Sequence, residues 1–189
     1  MIGAKNMVEV NTDLIKRAQT GDAEVVTALY EQYYQDVFRY LYYRVGDRHI
    51  AEDLASEVFL RMLRFIGGFN PPSASFQSWL FQIARNLSID YHRSRSLREH
   101  LPLNEDMPTS AYSPDHSADS HLTSEILQKA LSCLNNDQRD VILMRFVAGM
   151  PIVEVARTLH KSEDAIKGLQ RRGLAALKEI LLEWEITYA

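Results

Sequence analysis

With a single cysteine in 189 residues, no internal disulfide can form, and a reducing, cytoplasmic setting is the expectation. That residue, Cys133, stands beside Leu131 and Leu134 in a helical pattern and reads as a small buried hydrophobe rather than a reactive thiol. No apolar run approaches the roughly 20 residues needed to cross a bilayer, and the stretch MIGAKNMVEVNTD lacks the apolar centre of a secretory signal, so no membrane insertion is expected. Alternating, strand-like segments and internal repeats are also missing. An excess of positive charge is missing too: the formal net charge is −4, which by itself gives no hint of nucleic acid. Catalytic groupings are scarce. His49 and Asp53 share helical i, i+4 spacing, and His116 and His121 lie near each other, but neither pair has a third ligand, a nucleophile–base partner or a phosphate loop. No enzyme activity, metal or cofactor is therefore expected.

What is present is helical periodicity, and the chain reads as all-α. A short helix over 12–20 ends at Gly21, and Asp22 caps a second that runs to Val45, with Leu29, Tyr33, Val37, Tyr40 and Leu41 as its apolar stripe. Six tyrosines crowd that segment and read as the edge of a core. A third helix spans Asp47 to Ile66. Its inner face carries Ile50, Leu54, Val58 and Met62; the opposite face gathers Asp53, Ser56, Glu57, Leu60, Leu63 and Arg64. Two leucines inside a charged rim have the composition of a partner-binding patch, against the plainer reading of a solvated face. The break at Gly67–Ala74 makes a loop able to approach a ligand closely, or a simple connection with Phe69 packed inward.

Ser75 caps a fourth helix to about Ser96. Its inner face holds Phe76, Trp79, Leu80, Ile83, Leu87 and Tyr91, and Gln82, Arg85, Asn86, His92 and Arg93 lie outside or flank it. Cations that follow phosphates, mixed with flat groups that stack on bases, suit single-stranded DNA. Residues 97–122 lose the period, hold three prolines, and set one Arg against five acids, which marks a flexible acidic linker. The pattern resumes near residue 123, breaks at Asn135-Asn136, and continues to about Trp184. Within it, Gly149–Lys178 reads as two helices joined by a tight turn at His160-Lys161, the second capped by Ser162. Lys167, Arg171 and Lys178 share its outer face, the layout that places a helix in a DNA major groove. Residues 161–178 hold five Lys/Arg against two acids, and residues 85–98 hold four Arg against one. Two basic spots flanking an acidic spacer suggest two DNA contacts.

In this order the segments resemble one family, the extracytoplasmic-function sigma factors of bacterial RNA polymerase in the sigma-70 superfamily. LYEQYYQDVFRYLYYRV (29–45) is similar to the first conserved segment of that family, and AEDLASEVFLRML (51–63) to its polymerase-docking helix. FQSWLFQIARNLSIDYHRSR (76–95) resembles the segment that melts and reads the minus-10 element, and residues 131–178 resemble the minus-35-binding domain. The resemblance implies an initiation factor with two small helical domains, 12–96 and 123–184, joined by the linker 97–122. It implies core polymerase on Asp53, Ser56, Glu57, Leu60 and Arg64. It places the melted minus-10 strand on Phe69 and Asn70 in the base-capturing loop, and on Gln82, Arg85, Asn86, His92 and Arg93 beside it. Duplex DNA at minus 35 falls to Ser162, Lys167, Gln170, Arg171, Arg172 and Lys178, and a separate anti-sigma protein is the implied regulator. Two positions depart from the family pattern. His160 fills a turn position usually held by Gly, and Leu169 points inward where a polar residue is common. The rival reading is a helix–turn–helix regulator acting without core polymerase, which would need neither the Asp53–Leu60 face nor the Gly67–Ser73 loop.

Overall fold

Short-range capping chemistry explains where most helices begin and end. In the computed structural model, which describes residues 10, 12–70, 75–99 and 118–188, the first helix (α1) spans Thr12–Gln19 and buries Ile15 and Ala18. The Asp22 carboxylate accepts from the Glu24 and Val25 N–H groups at 3.1 and 3.4 Å, starting α2 (Ala23–Val45). Its end is set by Gly46 at φ 82, a left-handed backbone that glycine adopts without steric cost. Asp47 then accepts from Ile50 N–H at 3.0 Å and opens α3 (Arg48–Phe65), which runs into one 3-10 turn, Ile66–Gly68. Ser75 accepts from Ser78 N–H at 3.1 Å at the start of α4 (Phe76–Glu99). Helices α2, α3 and α4 pack together around Val37, Tyr40, Leu41, Ala51, Val58, Leu80 and Phe81, all with 0% exposure.

The second unit contains α5 (Ala118–Ser132), α6 (Asn136–Ile142), α7 (Ile152–Leu159) and α8 (Glu163–Tyr188). Asn135 caps α6 by accepting from Gln138 N–H at 2.9 Å. The chain continues through a π turn, Leu143–Val147, that periodicity alone does not distinguish from α-helix. Arg139 reaches back to the end of α5 and donates to the Leu131, Ser132 and Leu134 carbonyls at 2.8, 2.6 and 3.1 Å. Pro151 stands at the cap of α7 rather than in its first turn, its carbonyl accepting from Glu154 and Val155. Where α6 crosses α8, Gly173 supplies the clearance: a Cβ there would lie 3.1 Å from Ile142 Cγ1.

Several expectations need correction. Helix α5 begins at Ala118, inside the stretch read as linker, and α4 extends to Glu99; residues 100–117 of that stretch lie outside the described residues. His116 lies there too, and nothing is described of the His121 side chain. Cys133 is exposed, because α5 ends at Ser132 and the thiol leaves the helical face that Leu131 and Leu134 bury. Among the described residues no helix is long and apolar enough to cross a membrane.

Candidate nucleic-acid and partner interfaces

The outward face of α3 keeps the composition read from its sequence. Asp53, Ser56, Leu60 and Arg64 are exposed and Glu57 is half-buried, with Leu60 at 56% and Leu63 at 46% exposure. Ser56 donates to the Glu52 carbonyl at 3.0 Å, and Glu57 accepts from Arg61 Nε at 2.7 Å. These bonds fix the rim and leave the two leucines uncovered, while the opposite side of α3 buries Ala51, Ala55, Val58, Phe59 and Met62. His49 lies 3.9 Å from Glu52. No group of three or more His, Cys, Asp or Glu that could hold a metal ion occurs among the described residues.

The loop after α3 departs from expectation at Phe69. The ring is only 8% exposed, 4.8 Å from the Trp79 ring and 6.0 Å from Phe76, so it is spent on the core and not offered to a base. Its backbone is pinned as well: Gln19 Nε2 donates to the Ile66 and Phe69 carbonyls at 2.9 and 2.7 Å. Asn70 is exposed at the lip of the loop, whose residues 71–74 lie outside the described set.

Along α4 the basic and amide residues divide into two groups. Asn86 and Arg93 are exposed. Gln82, Arg85 and His92 instead meet other elements. Gln82 Nε2 is 2.8 Å from the His160 ring, Arg85 Nε donates to Asp140 Oδ2 at 2.8 Å, and His92 Nε2–H donates to the Arg44 carbonyl at 3.0 Å. Burial is the largest single influence on Arg85 and tends to lower its pKa, but the hydrogen bond to Asp140, the attraction of that carboxylate's charge and the smaller contributions of Tyr40 and Asp137 together raise it. Burial holds His92 below its usual value, and the positive charges of Arg44, Arg139 and Arg95 push the same way.

The Gln82 and Arg85 contacts belong to an interface between the two helical units, and the His92 contact braces the first unit beneath it. Asp140, at the base of α6 with 0% exposure, also accepts from the Tyr40 hydroxyl at 2.9 Å and lies 3.5 Å from Arg44 Nη1. Burial and the neighbouring Asp140 carboxylate raise the Tyr40 pKa well above its usual value, so the phenol keeps its proton. Arg44 Nη1 further donates to Asn136 Oδ1 at 3.2 Å. Higher up, α7 lies on α4. Ser75 and Ser78 donate to the Glu154 carboxylate, Thr158 Oγ1 reaches the Ser78 carbonyl at 3.4 Å, and Gln77 Nε2 donates to the Ala148 carbonyl at 3.2 Å. Tyr40, Arg44, Asp140 and Glu154 are absent from any site expected from the sequence. Tyr40 and Asp140 are 100 positions apart, and no local pattern marks the pair.

The α7–α8 pair forms the helix–turn–helix. His160 closes α7 in the left-handed region (φ 51, ψ 45), confirming the conformation a glycine usually fills there. Ser162 Oγ accepts from Ala165 N–H at 3.2 Å and so acts as the cap of α8. Lys167, Arg171, Arg172 and Lys178 are exposed along α8, Lys167 pairing with Asp164 at 3.1 Å. Gln170 is half-buried and accepts from Arg145 Nε at 3.2 Å, so it is held at the edge of that face. Leu169 is half-buried on the inner side, as its position on the helix requires.

Comparison with known proteins gives two family matches, sigma-70 region 2 over residues 29–98 and sigma-70, region 4 over residues 130–179. The chain is 40% identical over 171 residues to the ECF RNA polymerase sigma factor BldN of Streptomyces coelicolor, covering 89% of this chain and 65% of that relative's length. It is 34% identical to the ECF RNA polymerase sigma factor SigX of Bacillus subtilis, covering 82% of this chain and 83% of that protein. Among solved structures, CnrH in complex with the cytosolic domain of CnrY shares the fold, with a TM-score of 0.71 at 20% identity over 89% of this chain and 95% of that one.

Proposed function

The chain belongs to the ECF RNA polymerase sigma factors of the sigma-70 family, and from that membership we propose that it directs promoter-specific initiation by core RNA polymerase. The domain at 12–96 takes core polymerase on Asp53, Ser56, Glu57, Leu60 and Arg64, where an apolar centre inside a charged rim suits a complementary protein face. Asn70, Gln82, Arg85, Asn86, His92 and Arg93 serve the melted minus-10 strand. The domain at 123–184 binds duplex DNA at minus 35 through Lys167, Arg171, Arg172 and Lys178, with Gln170 at the groove edge and Ser162 fixing the helix start. A helix N-terminus placed in the major groove with cations on its flank supplies both register and phosphate contacts. The reading requires no catalytic group and no cofactor, and it places the protein in the cytoplasm with the polymerase. A separate anti-sigma protein is its proposed antagonist.

The observation that carries the reading is the coexistence, on one chain, of the uncovered Leu60–Leu63 face and a basic-faced helix–turn–helix. A regulator working without polymerase has use for the second only. Run-off transcription with purified core polymerase and mapped start sites is the test. Initiation that depends on added chain is expected; failure of the chain to form any complex with core polymerase would sink the proposal.

A further inference from the structure

The Asp140 cluster is built unequally. All of Asp140's side-chain partners come from the first unit: the Tyr40 hydroxyl donates to Oδ1, Arg85 Nε donates to Oδ2, and Arg44 Nη1 forms an ion pair with Oδ1 at 3.5 Å, with Arg44 and Tyr40 on α2 and Arg85 on α4. Arg44 is also held from within that unit. Its Nε is 3.5 Å from Ser88 Oγ, and its carbonyl accepts from His92. The second unit contributes only the anion and the Asn136 amide oxygen. The first unit therefore carries an assembled oxyanion receptor, and the second unit carries what fills it. Arg44 and Asp140 side chains are 1% and 0% exposed, so the carboxylate is fully enclosed when the units are docked.

Separating the units would leave two arginines without a counter-charge, which is costly unless another anion takes the place of the carboxylate. A phosphodiester offers two non-bridging oxygens where the carboxylate offers two, and Arg is the side chain suited to both. Arg85 of the receptor lies on the same helix as exposed Asn86 and Arg93, so a strand lying along α4 would bring a phosphate to it. Meanwhile Lys167, Arg171 and Arg172 on α8 stay exposed in the docked chain, so docking masks one nucleic-acid surface and spares the other.

We propose that Tyr40, Arg44 and Arg85 form a phosphodiester site for single-stranded DNA, which Asp140 occupies in the docked chain, so that strand binding and domain docking exclude one another. This rests on the sigma-factor reading for the strand's identity as promoter DNA. Asp140 is thus an internal competitor of the strand, and Arg44 is a binding residue hidden by docking.

The full chain is titrated with a 12-nucleotide single-stranded DNA, following affinity by fluorescence anisotropy and overall size by small-angle X-ray scattering. The expected result is an increase in radius of gyration as the strand binds. Asp140→Asn should be expanded before any strand is added and should bind at least tenfold more tightly. Adding Arg44→Gln to that variant should abolish the gain. Strand binding to the parent chain with no change in size, or equal affinities for parent and Asp140→Asn, would overturn the proposal. If Asp140→Asn does not fold, as judged by loss of a cooperative melt, the size titration of the parent chain decides. Inorganic phosphate at equal phosphate concentration is the second arm; if it expands the chain as well as the strand does, the site is one for free phosphate and the strand assignment fails. Run-off transcription with core polymerase reports on the sigma-factor reading separately, because it scores holoenzyme formation whatever the free chain does with the strand.

Discussion

Tyr40 shows how much a single atom contributes where water is excluded. Its hydroxyl donates, beside Arg85, to a carboxylate with 0% exposure that Arg44 also pairs with, and removing a partner from a buried charge leaves that charge under-satisfied. Tyr40→Phe keeps the ring packing against Phe81 and is expected to destabilise the chain by about 1–3 kcal/mol, measured by chemical denaturation. His92 gives a pH signature. Burial lowers its pKa in the folded chain, so the unfolded chain binds the proton more readily. Stability contributed by neutral His92 is full above its unfolded value of about 6.5 and is lost as pH falls from there through the lowered native value. Melting temperature followed from pH 7.5 to 5 should fall for the parent, and His92→Gln should flatten that segment of the curve. Phe69 teaches the converse lesson. A glycine pair beside an aromatic is equally compatible with a ligand loop and a buried plug, and Trp79 and Phe76, reached only in three dimensions, decide for the plug.

At the scale of helices, the two outward faces should fail independently. Leu60→Ala shortens the apolar centre of the α3 face and is expected to weaken the complex with core polymerase several-fold, with minus-35 duplex affinity unchanged in a gel-shift titration. Arg171→Ala should do the reverse, lowering duplex affinity and reducing the slope of log affinity against log salt by about one. Equal losses in both assays for either variant would show that the faces are not separate. Helix boundaries were largely legible in the sequence because their causes are local: Asp22, Asp47, Ser75, Asn135 and Ser162 each bond an N–H within three residues, and Gly46 turns the backbone alone. The π turn at Leu143–Val147 was not, since its residues keep an apolar face at either winding. Cys133 was misread for a related reason: periodicity marks a face but not the residue at which the helix gives out.

For the whole molecule, the docking of the two units could not be read from the sequence. Periodicity tells that a face is covered, not by what, and the contacts that matter span 55 to 100 positions: Arg85 to Asp140, Ser75 to Glu154, Tyr40 to Asp140. Basic and amide residues on α4 looked like a free DNA face; three of them, Gln82, Arg85 and His92, are already engaged across or beneath the interface. That interface carries hydroxyls, amides and ions, so its hold on the two units includes satisfied polar pairs beside apolar packing. Glu154→Ala removes the acceptor shared by Ser75 and Ser78 and frees Arg157. Differential scanning calorimetry is expected to show one transition for the parent and two for this variant; a single transition in both would mean the units unfold as one regardless of these bonds.

Gly173 has a consequence for the proposed DNA contact. It lies on α8, the helix proposed to enter the groove, at the point where α8 rests on Ile142 of α6, with no side chain of its own between them. The separation of the two helices is thus fixed by a missing methyl group, and α8, 26 residues or about 39 Å of continuous helix, passes that setting along its length. A thicker residue would lift the helix from its bed by a fraction of an ångström, and the lift would be felt by Arg171 and Arg172 immediately beside it. On the proposed minus-35 reading, the depth to which α8 reaches into a groove is therefore gauged by a glycine on the side of the helix turned toward α6.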